Sequence, residues 1–141
     1  MNKPVNQRVY SGTSWERSVA YCRARRVGNM IWVAGTTALD EQGKVVGPSD
    51  VTAQTRFVLR KIERALKECG AALRDVVRTR MFVTQMTGIS AIGSVHREFF
   101  EGIDPVSTCV EVTALIHPEL VIEIEVDAVL QTPELSLLER A

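Results

Sequence analysis

The chain has 141 residues and a mass of 15.6 kDa, which suits a single domain able to hide roughly 70% of its unfolded surface from water. Its 17 basic and 17 acidic side chains cancel to a formal net charge of zero, so it lacks the general electrostatic footprint of a protein that grips phosphate backbones, and nucleic acid is not expected as a partner. No stretch has the apolar core of a signal peptide or the run of about 20 apolar residues needed to cross a bilayer. Cys22, Cys69 and Cys109 are odd in number and widely spaced, which fits a reduced, cytoplasmic protein without a disulfide framework.

The first residues are polar, and residues 1–8 are expected to be flexible. Arg8 to Tyr10 can form a short strand, and Ser11 to Arg17 reads as a turn-rich loop. Trp15 in that loop can act as a lid over a ligand or fill a gap between loop and sheet. Ala20 to Val27 alternates small residues with Tyr21, Arg23 and Arg25 as a strand does. Gly28-Asn29 is a hairpin signal, and Met30 to Ala34 is the returning buried strand. A helix is expected from Val51 to Cys69, capped by Ser49 or Asp50 and stopped at Gly70. Its apolar stripe is Val51, Val58, Ile62, Ala65, Leu66 and Cys69.

Val76 to Thr84 reads as a long strand with Val77, Thr79, Met81 and Val83 on one face. A shorter helix, Ser90 to Glu101, follows with Ser90 as its cap and Ile92, Val95, Phe99 and Phe100 as its apolar side. Pro105 to Leu130 reads as two antiparallel strands joined at His117-Pro118. The second of them puts Leu120, Ile122, Ile124, Val126, Ala128 and Leu130 on one face and Val121, Glu123, Glu125, Asp127 and Val129 on the other. Residues 132–141 are expected to be a flexible tail. About five strands and two helices imply an α+β sandwich, one domain over residues 1–141, with a mixed sheet and both helices on one face. Opposite charges on the other face (Arg23, Arg25, Arg78, Arg80 against Glu111, Glu123, Glu125, Asp127) can pair across strands or be covered by other subunits.

Few motifs carry chemistry. His96 and His117 are the only histidines, with no partner cysteines or acids at metal-ligand spacing, and no glycine-rich phosphate loop is present. Neither metal nor cofactor is expected. Cys109 as a nucleophile would need His96 or His117 to draw off its proton; a small buried side chain is the simpler reading, as is packing for His96.

Tyr21 to Gly35 (YCRARRVGNMIWVAG), Arg80 to Thr84 (RMFVT), Phe99-Phe100, Pro105 to Val112 (PVSTCVEV) and Ile122 to Ala128 (IEIEVDA) together resemble the Rid/YjgF family, the reactive-intermediate deaminases. The match runs in order from about Tyr10 to Leu130. The resemblance implies a chorismate-mutase-like fold and a homotrimer binding a small molecule in the clefts between subunits. It also implies cofactor-free hydrolysis of imine or enamine acids to keto acids and ammonia. Tyr21, Gly35, Cys109 and Glu123 match the family's site positions, Glu123 as the catalytic acid. The family's substrate-gripping arginine, two residues before the cysteine, is Ser107 here, and an asparagine of the second helix is replaced, matching Gly93. A hydroxyl cannot replace a planar cationic fork, and each charged hydrogen bond contributes about 1.5–3 kcal/mol. Ordinary 2-imino acid deamination is therefore expected to be weak or absent, unless Arg23 or Arg25 reaches the cleft. The expected function is binding of a small metabolite between subunits, with Glu123 orienting a water and Tyr21, Gly35, Ser107 and Cys109 lining the site. A regulatory or chaperone-like binding trimer without turnover is the alternative, and ribonuclease or translation inhibition a third.

Overall fold

Alternation in the last strand decides which side of the molecule is dry. In the computed structural model, which describes residues 5–131, Ile122, Ile124 and Val126 are each 0% exposed while Glu123, Glu125 and Asp127 between them are half-buried on the opposite face. That strand is central in a six-stranded mixed sheet. In chain order the elements are β1 (Asn6–Val9), α1 (Ser14–Val19), β2 (Ala24–Val27), β3 (Met30–Thr37), α2 (Val51–Glu68), β4 (Val76–Val83), α3 (Ile89–Phe100), β5 (Val106–Glu111) and β6 (Ile122–Val129). Across the sheet they stand in the order β1-β2-β3-β6-β4-β5. The tails 1–4 and 132–141 lie outside the described residues.

Both long helices cover the face that carries Ile122, Ile124 and Val126. α2 supplies Val58, Leu59, Ile62 and Leu66, and α3 supplies Ile92, Val95 and Phe100, all at 2% exposure or less. Each such aliphatic side chain withdrawn from water contributes about 1.5–3 kcal/mol. Asp50 caps α2, its carboxylate accepting from the Ala53 N–H at 3.0 Å. The buried Gln54 of the same helix donates to the carbonyls of Gly47 (3.0 Å) and Glu119 (2.8 Å) and accepts from the Val121 N–H (2.9 Å). It thereby ties the connection entering β6 to the helix layer, which no hydrophobic pattern foretells.

Several expectations need correction. β5 and β6 do not form an antiparallel pair: β4 lies between them, pairing parallel with β5 and antiparallel with β6. The helical connection from β4 to β5 returns the chain parallel at the outer edge, and the segment containing His117-Pro118 then steps across β4 to reach β6. Residues 14–19 are helical rather than loop. The buried Glu16 organises this turn by accepting from the Ser11 N–H at 2.9 Å, the Ser11 hydroxyl at 2.5 Å and the Gly12 N–H at 3.2 Å. Helix α1 ends on Ala20 in the left-handed region (φ 67°), so β2 starts only at Ala24. Trp15 projects from α1 at 55% exposure and is not packed into a gap among the described residues. α3 begins after Gly88, with Ser90 inside its first turn and not capping it. A register shift between Val76 and Arg78 turns Val77 outward, while Thr79, Met81 and Val83 stay buried.

Candidate functional site

The returning strand β3 carries a second irregularity, a register shift between Val33 and Thr36 that surrounds Gly35. Glu123, opposite Thr37 on β6, folds its carboxylate into the space this creates. A β-carbon on Gly35 would lie 2.8 Å from Glu123 Oε1 and 3.1 Å from its carboxyl carbon, so with glycine here the carboxylate can keep this seat, and a side chain at 35 would push it aside. Arg23, at the entry to β2, completes the group: its Nη2 donates to the Gly35 carbonyl at 2.8 Å, while its buried Nε has no partner. Burial pushes the Glu123 carboxyl above the ordinary range; the Arg23 charge pulls it back, and Glu125 pushes it up further. An acid raised in this way holds its proton more tightly than an ordinary carboxyl, which suits it to take a proton and return it.

Ser107 and Cys109 stand elsewhere. They pair with Thr79 and Met81 of β4, whose side chains point toward the helices, whereas Glu123 points from the uncovered face. β5 is also two strands from β6, about 10 Å across the sheet. The Thr79 and Ser107 hydroxyls are hydrogen-bonded at 2.8 Å, and Thr79 Oγ1 lies 2.9 Å from His96 Nε2. His96 packs on Phe100 with ring centroids 4.7 Å apart, and burial lowers its pKa. Burial likewise pushes the Cys109 thiol up, away from the thiolate a nucleophile needs. Tyr21 follows the turn at Ala20 and lines a groove with Tyr10, Ser14, Arg17, Cys22 and Arg25.

A single chain therefore brings Gly35 and Glu123 together, adds Arg23 to them, and leaves Tyr21, Ser107 and Cys109 apart. Of the two arginines weighed as substitutes, Arg23 is the one beside Glu123; Arg25 sits opposite Trp32 on the uncovered face. His96 packs as the sequence suggests, and Thr79 shares the buried face of Met81 and Val83; their contact is what the sequence does not show. The signal that could have found them is that Thr79 falls opposite the serine once β5 is laid parallel to β4. Among the described residues no group of three His, Cys, Asp or Glu side chains is arranged to hold a metal ion, and no helix is long and apolar enough to cross a membrane.

The uncovered face is partly apolar, with Val27, Met30, Trp32, Val77, Val106 and Val110 exposed. Between them Arg80 bonds Glu125 at 3.3 Å and Asp127 at 3.2 Å, with Arg78 3.8 Å from Asp127. Arg78 and Arg80 thus pair across strands with Glu125 and Asp127 as expected, but Glu111, beside Val83 in the parallel pair, lies on the opposite face and accepts instead from the Met86 N–H at 2.9 Å.

Comparison with known proteins agrees with this architecture. Residues 13–130 match the endoribonuclease L-PSP family. The chain is 36% identical over 104 residues to the 3-aminoacrylate deaminase RutC of Acinetobacter baylyi, covering 74% of this chain and 82% of that protein. It is 32% identical over 128 residues to protein SCO2049 of Streptomyces coelicolor, covering 91% and 95%. Among solved structures, Rv2704 of Mycobacterium tuberculosis, a member of the YjgF/YER057c/UK114 family, superposes with a TM-score of 0.81 at 46% identity, over 89% of this chain and all of that one. The chain belongs to the endoribonuclease L-PSP family, also known as the YjgF or Rid family.

Proposed function

We propose that the chain binds a small carboxylic or carbonyl metabolite in clefts between copies of itself, assembled as a homotrimer, with Glu123 and Gly35 of one copy facing Ser107 and Cys109 of the next. The observation that carries this reading is the half-buried Glu123 carboxyl, raised by its surroundings and seated in the volume a β-carbon would take at Gly35. Such a group has a function only if something completes its surroundings. The exposed apolar residues of the same face support a neighbouring subunit as that cover.

The relationship to an aminoacrylate deaminase favours one reaction class for this cleft. A three-carbon enamine or imine acid presents a polarised carbon to a water held by Glu123. An enamine first takes a proton on carbon to become the imine; the Glu123 carboxylate then takes the water's proton as oxygen bonds to the imine carbon and passes it to nitrogen, and the carbinolamine hydroxyl gives up its proton as the C–N bond breaks, leaving the carbonyl and ammonia. Ser107 holds a ligand oxygen less firmly than a guanidinium would, so turnover is slow and binding is the more general property.

The ribonucleolytic name of the family has less support in these residues. The net charge is zero, and Arg78 and Arg80 of the uncovered face are already paired with acids, which leaves little to attract a phosphate backbone.

Sedimentation equilibrium and ammonia release test the proposal together. A species of about 47 kDa, three times the 15.6 kDa chain, is expected, with faster ammonia release from 3-aminoacrylate generated in place than in buffer. A monomer would overturn the cleft. A trimer without accelerated release that is stabilised by the saturated three-carbon acid propionate would leave a binding protein without turnover.

A further inference from the structure

On the side of the sheet that α2 covers, a cavity of about 610 Å³ opens between that helix, residues 9–13 and the 39–42 turn. The volume falls in the range of small-molecule sites. Val9, Leu39, Phe57 and Ala65 give it an apolar lining, and Arg23 and Lys61 add two partly buried cations. Neither cation has a carboxylate within ion-pair distance among the described residues. Arg23 donates Nη2 to the Gly35 carbonyl and has a buried Nε without a partner. An ammonium has three hydrogens to donate, and Lys61 gives one to the Leu39 carbonyl at 3.0 Å. The acids that act on Lys61 from a distance are committed elsewhere: Glu16 accepts from the Ser11 and Gly12 amides, and Asp40 from those of Gln42 and Lys44. Arg64 also lines the cavity, and its pair with Glu41 is long, at 3.9 Å, and open to solvent. Burial lowers the Lys61 pKa, Arg23 and Arg64 lower it further, and Glu16 and Asp40 do not offset them. Two like charges held together beside apolar surface are relieved by an anion.

We propose that this cavity is a second binding site, for a small organic acid whose anionic end lies between Arg23 and Lys61 and whose apolar body rests against Phe57 and Leu39. It is separate from the cleft proposed above. Its walls are α2 and two connecting segments, whereas the cleft uses the uncovered face and β5, so a neighbouring subunit on that face leaves the cavity open. Arg23 is the residue the two places share, bonded to Gly35 and lining the cavity as well.

Titration of the full-length protein with 3-phenylpropionate, and with 3-phenylpropylammonium as the ligand of opposite charge, tests the site when followed by backbone amide NMR. The expected result is saturable binding of the acid and not of the amine, with shifts at Leu39, Asp40 and Lys61. Lys61→Met keeps the packed stem and removes the charge, and should weaken the acid by at least about 10-fold, the scale of one charge-assisted hydrogen bond. Lys61→Arg keeps the charge and should hold binding to within about threefold, a contrast that loss of packing alone would not produce. No saturable binding to the wild type, equal binding of the amine, or a Lys61→Met variant that binds like wild type overturns the proposal. So do shifts confined to Gly35, Ser107 and Cys109, which place the acid in the cleft and leave that reading standing.

Discussion

The two faces of the sheet are built from the same strands yet completed in different ways. On one face β6 presents Ile122, Ile124 and Val126, and α2 and α3 close over them. On the other it presents Glu123, Glu125 and Asp127 beside Trp32, Val77 and Val106, with neither long helix above. The first face is finished within the chain and serves stability. The second holds a raised acid, paired charges and exposed apolar side chains, a mixture that is costly unless another surface completes it. The difference separates what the fold needs from what the site needs, and each kind of residue should fail in its own way.

The largest effect belongs to the covered face. Ile124→Ala should cost about 2–5 kcal/mol in urea unfolding, and a loss below 1 kcal/mol would mean that this face is not the core. Next, Glu123→Gln should lower ammonia release by at least about 100-fold, the scale of general acid–base catalysis, while making the fold more stable at pH 7. The native carboxyl is raised, so the folded state holds its proton more tightly than the unfolded chain. Stability therefore falls as pH rises from the ordinary carboxyl value through the raised one. A thermal melt in which the Gln variant gains at pH 7 but not at pH 4 confirms the sign.

A smaller effect follows from His96, whose pKa is depressed by burial. Its contribution is present above the ordinary imidazole value and is lost as pH falls through the depressed one, because the unfolded chain takes the proton first. His96→Gln should flatten the stability profile between pH 7 and pH 5, measured by denaturant midpoints. The smallest effect should come from Asp127→Asn on the uncovered face. Its pairs with Arg78 and Arg80 are partly exposed and should contribute no more than about 1 kcal/mol. A larger loss that depends on protein concentration would show that the face is buried between subunits.

Local patterns were easy to read in the sequence because they act over a few residues. The period-two burial of β6, the stripe of α2 and the two-residue turn at Gly28-Asn29 each follow from spacing alone. Gly35 and Glu123 were singled out by the resemblance, whereas their contact is visible only in the structure. Partner choice was not legible. Whether β5 lies beside β6 or beyond β4 depends on how the α3 crossover closes, a non-local event that leaves no trace in alternation. The Gln54 amide and the Thr79–His96 pair escaped for a related reason: a lone polar residue inside an apolar stripe acquires a role only once its partners from distant segments arrive.

The seat of Glu123 against Gly35 has a consequence for how the site can change. The carboxylate occupies the volume in which any other residue at position 35 would keep its first side-chain carbon. Positions 35 and 123 therefore cannot vary independently: a larger residue at one requires a shorter or displaced one at the other, and their substitutions should be strongly non-additive. A lineage that abandons the acid is free to fill the glycine, while one that keeps it can fill the gap only by moving the carboxylate from its seat.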